Sequence, residues 1–297
     1  MKIGFIGLGI MGKPMCENLI KANHELIVMD KKPEATEELA NLGAKIAQSP
    51  KEVASEVDLI ITMLPNSPHV KEVVLGSEGI IEGANKELTV IDMSSISPIV
   101  SKEIYQELAK EGIEMLDAPV SGGEPKAIDG TLSVMVGGKK EVFDKYCDLI
   151  KAMASSVVYV GEIGSGNITK LCNQIIVAIN IAAMSEALVL AQKAGVNPEV
   201  VYKAIRGGLA GSTVLDAKAP LILKRKFDPG FRIGLHIKDL NNVLETSHNV
   251  GVPLPLTSAV LEMMHALSAD GLSNDDHCSI VKFYEKIANV TVGNGKF

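Results

Sequence analysis

Ile3-Gly4-Phe5-Ile6-Gly7-Leu8-Gly9-Ile10-Met11-Gly12 runs from a short apolar block straight into a Gly-x-Gly-x-x-Gly turn, and the stretch from Lys13 to Ala22 is compatible with a helix. Strand, glycine turn and helix in that order form the layout that grips a dinucleotide. Gly7 permits the tight turn, Gly9 lets the backbone approach a pyrophosphate, and Gly12 lets the helix pack closely on the strand. Gly7, Leu8, Gly9, Ile10, Met11 and Gly12 are therefore the candidate cofactor turn, with the helix N-terminus offering its free N–H groups to phosphates. Turns of this kind also occur without a cofactor. Here Glu25 to Met29 reads as a second strand and ends in Asp30. A carboxylate about 20 residues past the glycines is where a ribose 2′-hydroxyl is usually bound.

The rest of the chain alternates in the same way as far as Gly161. Expected strands are Lys2–Ile6, Glu25–Met29, Leu59–Met63, Thr89–Met93, Glu114–Leu116, Leu132–Val136 and Val157–Val160, with helices such as Lys102–Glu111 and Glu141–Met153 between them. Short apolar blocks bounded by Gly, Pro, Asp or Ser suit strands covered on both faces. The fold class is α/β, a Rossmann-type doubly wound, mainly parallel sheet. After the glycine-rich segment Gly161–Gly166 the pattern changes. Asn167 to Gly195 reads as one long helix, apolar on most faces and so buried in a core or between subunits. Helices follow at Pro198–Arg206, Leu215–Leu223, Ile237–Val250, Leu256–Asp270 and Asp275–Ala288, and no strand is expected. The organisation is a dinucleotide-binding domain over 1–162 and an all-α domain for substrate and oligomerisation over 163–297. Gly293 to Phe297 reads as a frayed tail.

Composition narrows the partners. The chain has 297 residues, 46% apolar and 4% aromatic, enough for two cores built from aliphatic side chains. A net charge of -7 with no basic stripe argues against nucleic acid. Cys16, Cys147, Cys172 and Cys278 lack metal spacing and read as reduced, mostly packed thiols, so no metal site is expected. The chain starts on a strand, leaving no room for a signal peptide, and its most apolar stretch, Ile175–Met184, is too short to span a bilayer. The expected setting is cytoplasmic, with no membrane partner.

Three further segments carry chemistry. Asp117-Ala118-Pro119-Val120-Ser121-Gly122-Gly123 follows a strand, on the ligand-binding edge of an open sheet. Its Ser-Gly-Gly turn suits either a nest of N–H groups for a carboxylate or a plain flexible connection. Lys170 and Asn173 lie three apart near the start of the long helix and share a face, which Asn180 and Met184 continue. A buried ammonium beside the positive end of a helix is poised for acid–base work, unless its stem simply snorkels to water. His236-Ile237-Lys238-Asp239-Leu240 opens another helix, where Lys238 either meets the cofactor or is half of a charged helix start. Leu64 and Pro65 follow one strand and Ser95 another, which makes them cofactor-side candidates or only strand ends. His24, His69, His248, His265 and His277 read as surface or helix-end residues.

Taken together, Gly-x-Gly-x-Met-Gly, Asp-Ala-Pro-Val-Ser-Gly-Gly, Gly-x-x-x-Lys-x-x-Asn and the late Lys-Asp-Leu resemble the β-hydroxyacid dehydrogenase family over essentially the whole chain. The resemblance implies NAD (NADH), with NADP as the second option, and a small anionic semialdehyde or hydroxyacid as substrate. It implies an active site in the cleft between the domains and a homo-oligomer, dimer or tetramer, with the long helix at its interfaces. By position it makes Lys170 the catalytic lysine and Asn173 its neighbouring substrate amide. Ser121, Gly122 and Gly123 fall on the substrate-carboxylate segment, while Ser95 and Lys238 match positions beside the cofactor. Many relatives carry a second Asn where this chain has Gln174, a departure that bears on the acid accepted. Gly4–Pro14, Leu64–Glu72, Met115–Gly138 and Ala204–Pro220 look most like members that reduce tartronate semialdehyde. Dehydrogenases of 3-hydroxyisobutyrate, 4-hydroxybutyrate or glyoxylate, and a non-catalytic dinucleotide-binding module, are the alternatives.

Overall fold

The computed structural model describes residues 1–293 and divides into two compact units, Met1–Lys170 and Leu171 onward. The division falls inside a helix, eight residues after the sequence boundary at 162. The tail expected from Gly293 lies almost wholly outside the described residues.

The first unit begins β1 (Lys2–Ile6), α1 (Gly12–Lys21), β2 (Glu25–Met29), α2 (Pro33–Ala40), β3 (Lys45–Ile46), α3 (Pro50–Ser55) and β4 (Leu59–Thr62). It continues with α4 (Ser67–Leu75), α5 (Ile80–Gly83), β5 (Thr89–Asp92), α6 (Pro98–Lys110), β6 (Glu114–Asp117) and β7 (Val120–Ser121). Then come α7 (Gly123–Ile128), β8 (Leu132–Gly137), α8 (Lys140–Ile150), β9 (Ala154–Gly161) and the start of α9 (Ser165–Lys193). The sheet order is β3-β2-β1-β4-β5-β6-β8-β7, with β9 paired to β8. From β3 to β6 all pairs are parallel. β8 meets β6 and β7 antiparallel and β9 parallel.

Period-two alternation sends the strand residues to two cores. Ile3, Phe5, Leu26, Val28, Leu59 and Ile61 join Met15, Leu19 and Tyr146 on one face. Ile6, Ile27, Ile60 and Val90 join Val53, Val70 and Ile104 on the other. Helices thus cover both faces, which is why these strands read as continuous apolar runs. The chain winds one way from β1 through β2 to β3 and the other way from β1 through β4 to β6. The topological switch therefore lies between the ends of β1 and β4, where open sheets bind ligands.

Several expectations need correction. β3 and β7 escaped the sequence reading because two residues carry no period, and their ladders come from tertiary pairing. β9 is longer than Val157–Val160, and Val158 is half exposed, so it is an edge strand rather than one covered on both faces. β8 pairs with it from Ala154 to Gly161, with a register shift near each end.

The second unit holds the rest of α9, α10 (Pro198–Ile205), α11 (Thr213–Leu223), α12 (Ile233–Asn249), α13 (Pro255–Ala269), a 3₁₀ turn (His277–Ile280) and α14 (Val281–Ala288). Its core is aliphatic, with Ile181, Leu188, Leu240, Val243, Met264 and Val281 all buried. α12 starts four residues before the expected Ile237. The N–H groups of Ile233 and Gly234 bond the carbonyls of Asp275 and Ser273, 2.9 and 3.0 Å away, so tertiary contacts anchor a first turn that Gly234 hides in the sequence. The expected helix Asp275–Ala288 is interrupted because Asp276 bridges Arg232 antiparallel. α9 covers nearly the residues expected for the long helix, but its apolar window is longer than the stretch Ile175–Met184. By length and composition it could cross a membrane, with a mean hydropathy of 1.9 over its most apolar window, half of which is buried inside the protein.

Candidate active site

At the end of β1 the chain turns at Gly7, whose φ is +99°. A Cβ there would run into the Met63 carbonyl and Leu64 side chain, so only glycine lets the ends of β1 and β4 approach this closely. The turn is pinned to β2, since Gly7 N–H donates to the Met29 carbonyl at 3.0 Å and Leu8 N–H to Asp30 Oδ2 at 2.6 Å. Asp30 Oδ1 accepts from Lys32 N–H at 2.9 Å. Each carboxylate oxygen keeps a lone pair for a ribose hydroxyl. Beyond the turn, the space beside Gly9 is open. α1 has no acid in its first turn and no side-chain cap from Met11, so its terminal N–H groups face no competing anion of their own helix. These residues fit a dinucleotide pyrophosphate.

The neighbouring strand ends are ordered by the same chemistry. Leu64 N–H donates to Ser94 Oγ at 2.8 Å, and Asp92 Oδ1 accepts from Thr62 Oγ1 at 2.8 Å. Ser95 is half-buried just beyond β5, and Pro65 is exposed after β4. The structure thus brings the glycine turn, Asp30 and Leu64 together around the switch point.

The Ser121-Gly122-Gly123 turn leads from β7 into α7, which is tied to α1 where Asn18 Nδ2 donates to the Ala127 carbonyl at 2.7 Å. Gly122 and Gly123 have φ of +140° and +68°, a pair of conformations that side chains resist. The turn is therefore a built backbone feature, which is what a nest requires.

Lys170 is buried, 8% exposed, in the second turn of α9. The start of that helix is bolted to the sheet by residues the sequence reading had quoted without a role. Asp117, at the end of β6, accepts from Gly164 N–H at 2.8 Å and from Asn167 N–H at 2.7 Å. Asn167 Oδ1 accepts from Ile96 N–H at 3.1 Å, and its Nδ2 donates to Ser101 Oγ at 3.0 Å. Gly166 lies so close to the Asp117 and Met135 carbonyls that a Cβ would not fit. Burial pushes the Asp117 carboxyl up to about 7 against its two N–H bonds, and nearby Asp92 adds to the rise. Three residues past Asn167, Lys170 inherits a fixed helical position.

Asn173 and Lys238 belong to the second unit. Asn173 is half-buried on α9 and Lys238 half-buried in the second turn of α12. They are connected through Gln174 and Asp239, both buried.

Two models of known families cover this architecture in succession. The NAD-binding domain of 6-phosphogluconate dehydrogenase matches residues 2–161, and the NAD-binding domain of NADP-dependent 3-hydroxyisobutyrate dehydrogenase matches 164–284. The chain belongs to the β-hydroxyacid dehydrogenase family. As a β-hydroxyacid dehydrogenase it is an NAD(P)-dependent oxidoreductase. It is 44% identical to 2-hydroxy-3-oxopropionate reductase of Escherichia coli over 97% of this chain and 99% of that one. It is 35% identical to human mitochondrial 3-hydroxyisobutyrate dehydrogenase over 95% and 86%. Among solved structures, Mycobacterium tuberculosis 3-hydroxyisobutyrate dehydrogenase with L-serine superposes with a TM-score of 0.88 at 30% identity, covering 95% of this chain and 98% of that one.

His277 lies at a helix end, opening the 3₁₀ turn, but it is buried rather than at the surface. Its Nδ1 lies 2.9 Å from Nδ1 of the fully buried His236. Phe231 packs edge-on against both rings. The two histidines lie 41 residues apart, so no local pattern announces the pair. Of the cysteines, Cys16 and Cys278 are buried, Cys147 is partly so, and Cys172 is exposed. Among the described residues no cluster could hold a metal ion.

Proposed function

We propose that this chain reduces tartronate semialdehyde to D-glycerate, reversibly, with NADH preferred over NADPH. The likeness that carries the reading is the 44% identity to 2-hydroxy-3-oxopropionate reductase along nearly the full length of both chains. Asp30 supports NADH, because a carboxylate accepts from a ribose hydroxyl and repels a 2′-phosphate. Lys31 and Lys32 beside it leave room for NADPH.

In this reading the Ser121–Gly123 turn and Asn173 hold the substrate carboxylate. The hydride comes from the nicotinamide when the cofactor is bound. Lys170 donates a proton as negative charge develops on the aldehyde oxygen, and takes it back in the oxidation direction. The fixed start of α9 supports this role, since a proton donor is only as useful as its placement. The exposed Ile176 and Leu190 of α9 support a homo-oligomer, and the four free cysteines support a reducing, cytoplasmic setting.

Steady-state assays on a panel of short semialdehydes with both cofactors test the substrate. The highest kcat/KM is expected for tartronate semialdehyde with NADH. Faster turnover of the 3-hydroxyisobutyrate partner would move the chain to that branch, and tight NADH binding without any turnover would make it a binding module. Lys170→Ala should keep the fold and NADH affinity while kcat falls about 10²–10⁴-fold. Near-normal turnover would remove the lysine's role.

A further inference from the structure

A carboxylate, two amides and an ammonium form an unbroken relay in the second unit. Asp239, 2% exposed, lies 3.0 Å from Lys238 Nζ through Oδ1. Its Oδ2 accepts from Gln174 Nε2 at 2.6 Å. Gln174, 4% exposed, turns its Oε1 the other way and accepts from Asn173 Nδ2 at 2.9 Å. An ionised carboxylate only accepts hydrogen bonds, so the Gln174 end facing it must be the NH₂ group. The oxygen of Gln174 then necessarily faces Asn173, which must answer with an N–H. One charge on α12 thereby sets the polarity of two amides on α9. Without it, either amide could sit flipped at similar cost.

We propose that Gln174 is a positioning residue for substrate specificity: it fixes which atoms of the Asn173 amide are offered to an anionic hydroxyacid. This inference rests on the reading that Asn173 meets the substrate. One Nδ2 hydrogen is committed to Gln174, leaving the second N–H for a carboxylate oxygen and Oδ1 for a hydroxyl. The longer Gln side chain matters because an Asn, one methylene shorter, would not span Asn173 and Asp239 with the helices where they are. The departure noted in the sequence thus has a physical consequence: the relay needs the extra carbon.

Kinetics on Asn173→Ala, Gln174→Met and the double variant test it, with folding checked by circular dichroism and thermal melting. Gln174→Met keeps the bulk and removes both hydrogen bonds. Its KM for the acid substrate should rise about tenfold, the worth of a lost, oriented hydrogen bond, with KM for NADH within about twofold of the parent. The double variant should be no worse than Asn173→Ala, since Gln174 acts through Asn173. Fully additive losses would overturn the relay. Should Asn173→Ala leave the substrate KM unchanged, the substrate reading itself has failed. If Asn173→Ala raises it and Gln174→Met does not, only the relay fails. Gln174→Glu supplies a signature that packing alone cannot imitate. Its substrate KM should be high at pH 8 and recover as the pH falls, because a protonated carboxyl can again donate to Asp239. A pH-independent defect would overturn the proposal.

Discussion

Asp117 in the first unit and Asp276 in the second are both fully buried carboxylates that gather backbone N–H groups, yet they titrate in opposite directions. Asp117 takes N–H bonds from Gly164 and Asn167, and burial still pushes it up to about 7. Asp276 takes them from Gly230, Phe231 and Cys278. Burial pushes it up as well, but the His277 ring and the Lys218 ammonium, 2.8 Å away, outweigh that and bring it to about 2. Amide dipoles alone do not compensate for lost hydration of a charge, whereas a nearby opposite charge does. The first carboxylate anchors the helix that bears Lys170, and the second closes the junction between α11 and the turn before α14.

Removing the ammonium should move the second site toward the first, with His277 left beside the carboxylate. Lys218→Met leaves Asp276 buried without its ammonium, and urea unfolding at pH 7 should show a loss of about 3–5 kcal/mol. A loss under about 1 kcal/mol would mean that the N–H groups and His277 suffice, and the contrast would break.

The pH dependence sharpens it further. The folded-state pKa of Asp117 is raised, so its contribution is complete below about pH 4 and is lost as the pH rises through about 7, by about 4 kcal/mol. Asp117→Asn removes that titration. The stability of the parent should therefore fall relative to the variant between pH 5 and 8, and parallel curves would refute it. Asp276 is lowered, so its contribution stands above about pH 4 and is lost as the pH falls through about 2. The loss should be about 2 kcal/mol, seen in acid titration of the folded protein and smaller in Lys218→Met, where His277 and the Cys278 N–H still face the carboxylate.

The alternation of the first unit was legible because strands covered on both faces are apolar at their centres, as at Ile3, Phe5 and Ile6 in β1, Leu26–Val28 in β2, Leu59–Ile61 in β4 and Val90–Ile91 in β5, all buried. The glycine turn was legible because Gly7 has no substitute at its φ. Asp117 and Asn167 stood in the quoted motifs without a role, since their partners lie 47, 50, 66 and 71 residues away. The Gln174–Asp239 contact spans 65 residues and was equally invisible. A departure from relatives at Gln174 could be noted, but not what it touches.

By itself the sequence determined the dinucleotide turn, the alternation of the longer strands with helices and the lysine on the long helix, because these follow from local backbone freedom and apolar period. Tertiary structure alone decided which carboxylate is charged, which way each amide points and where α9 is held. Those depend on burial and on partners brought together across dozens of residues, and no local pattern encodes the dielectric around a side chain.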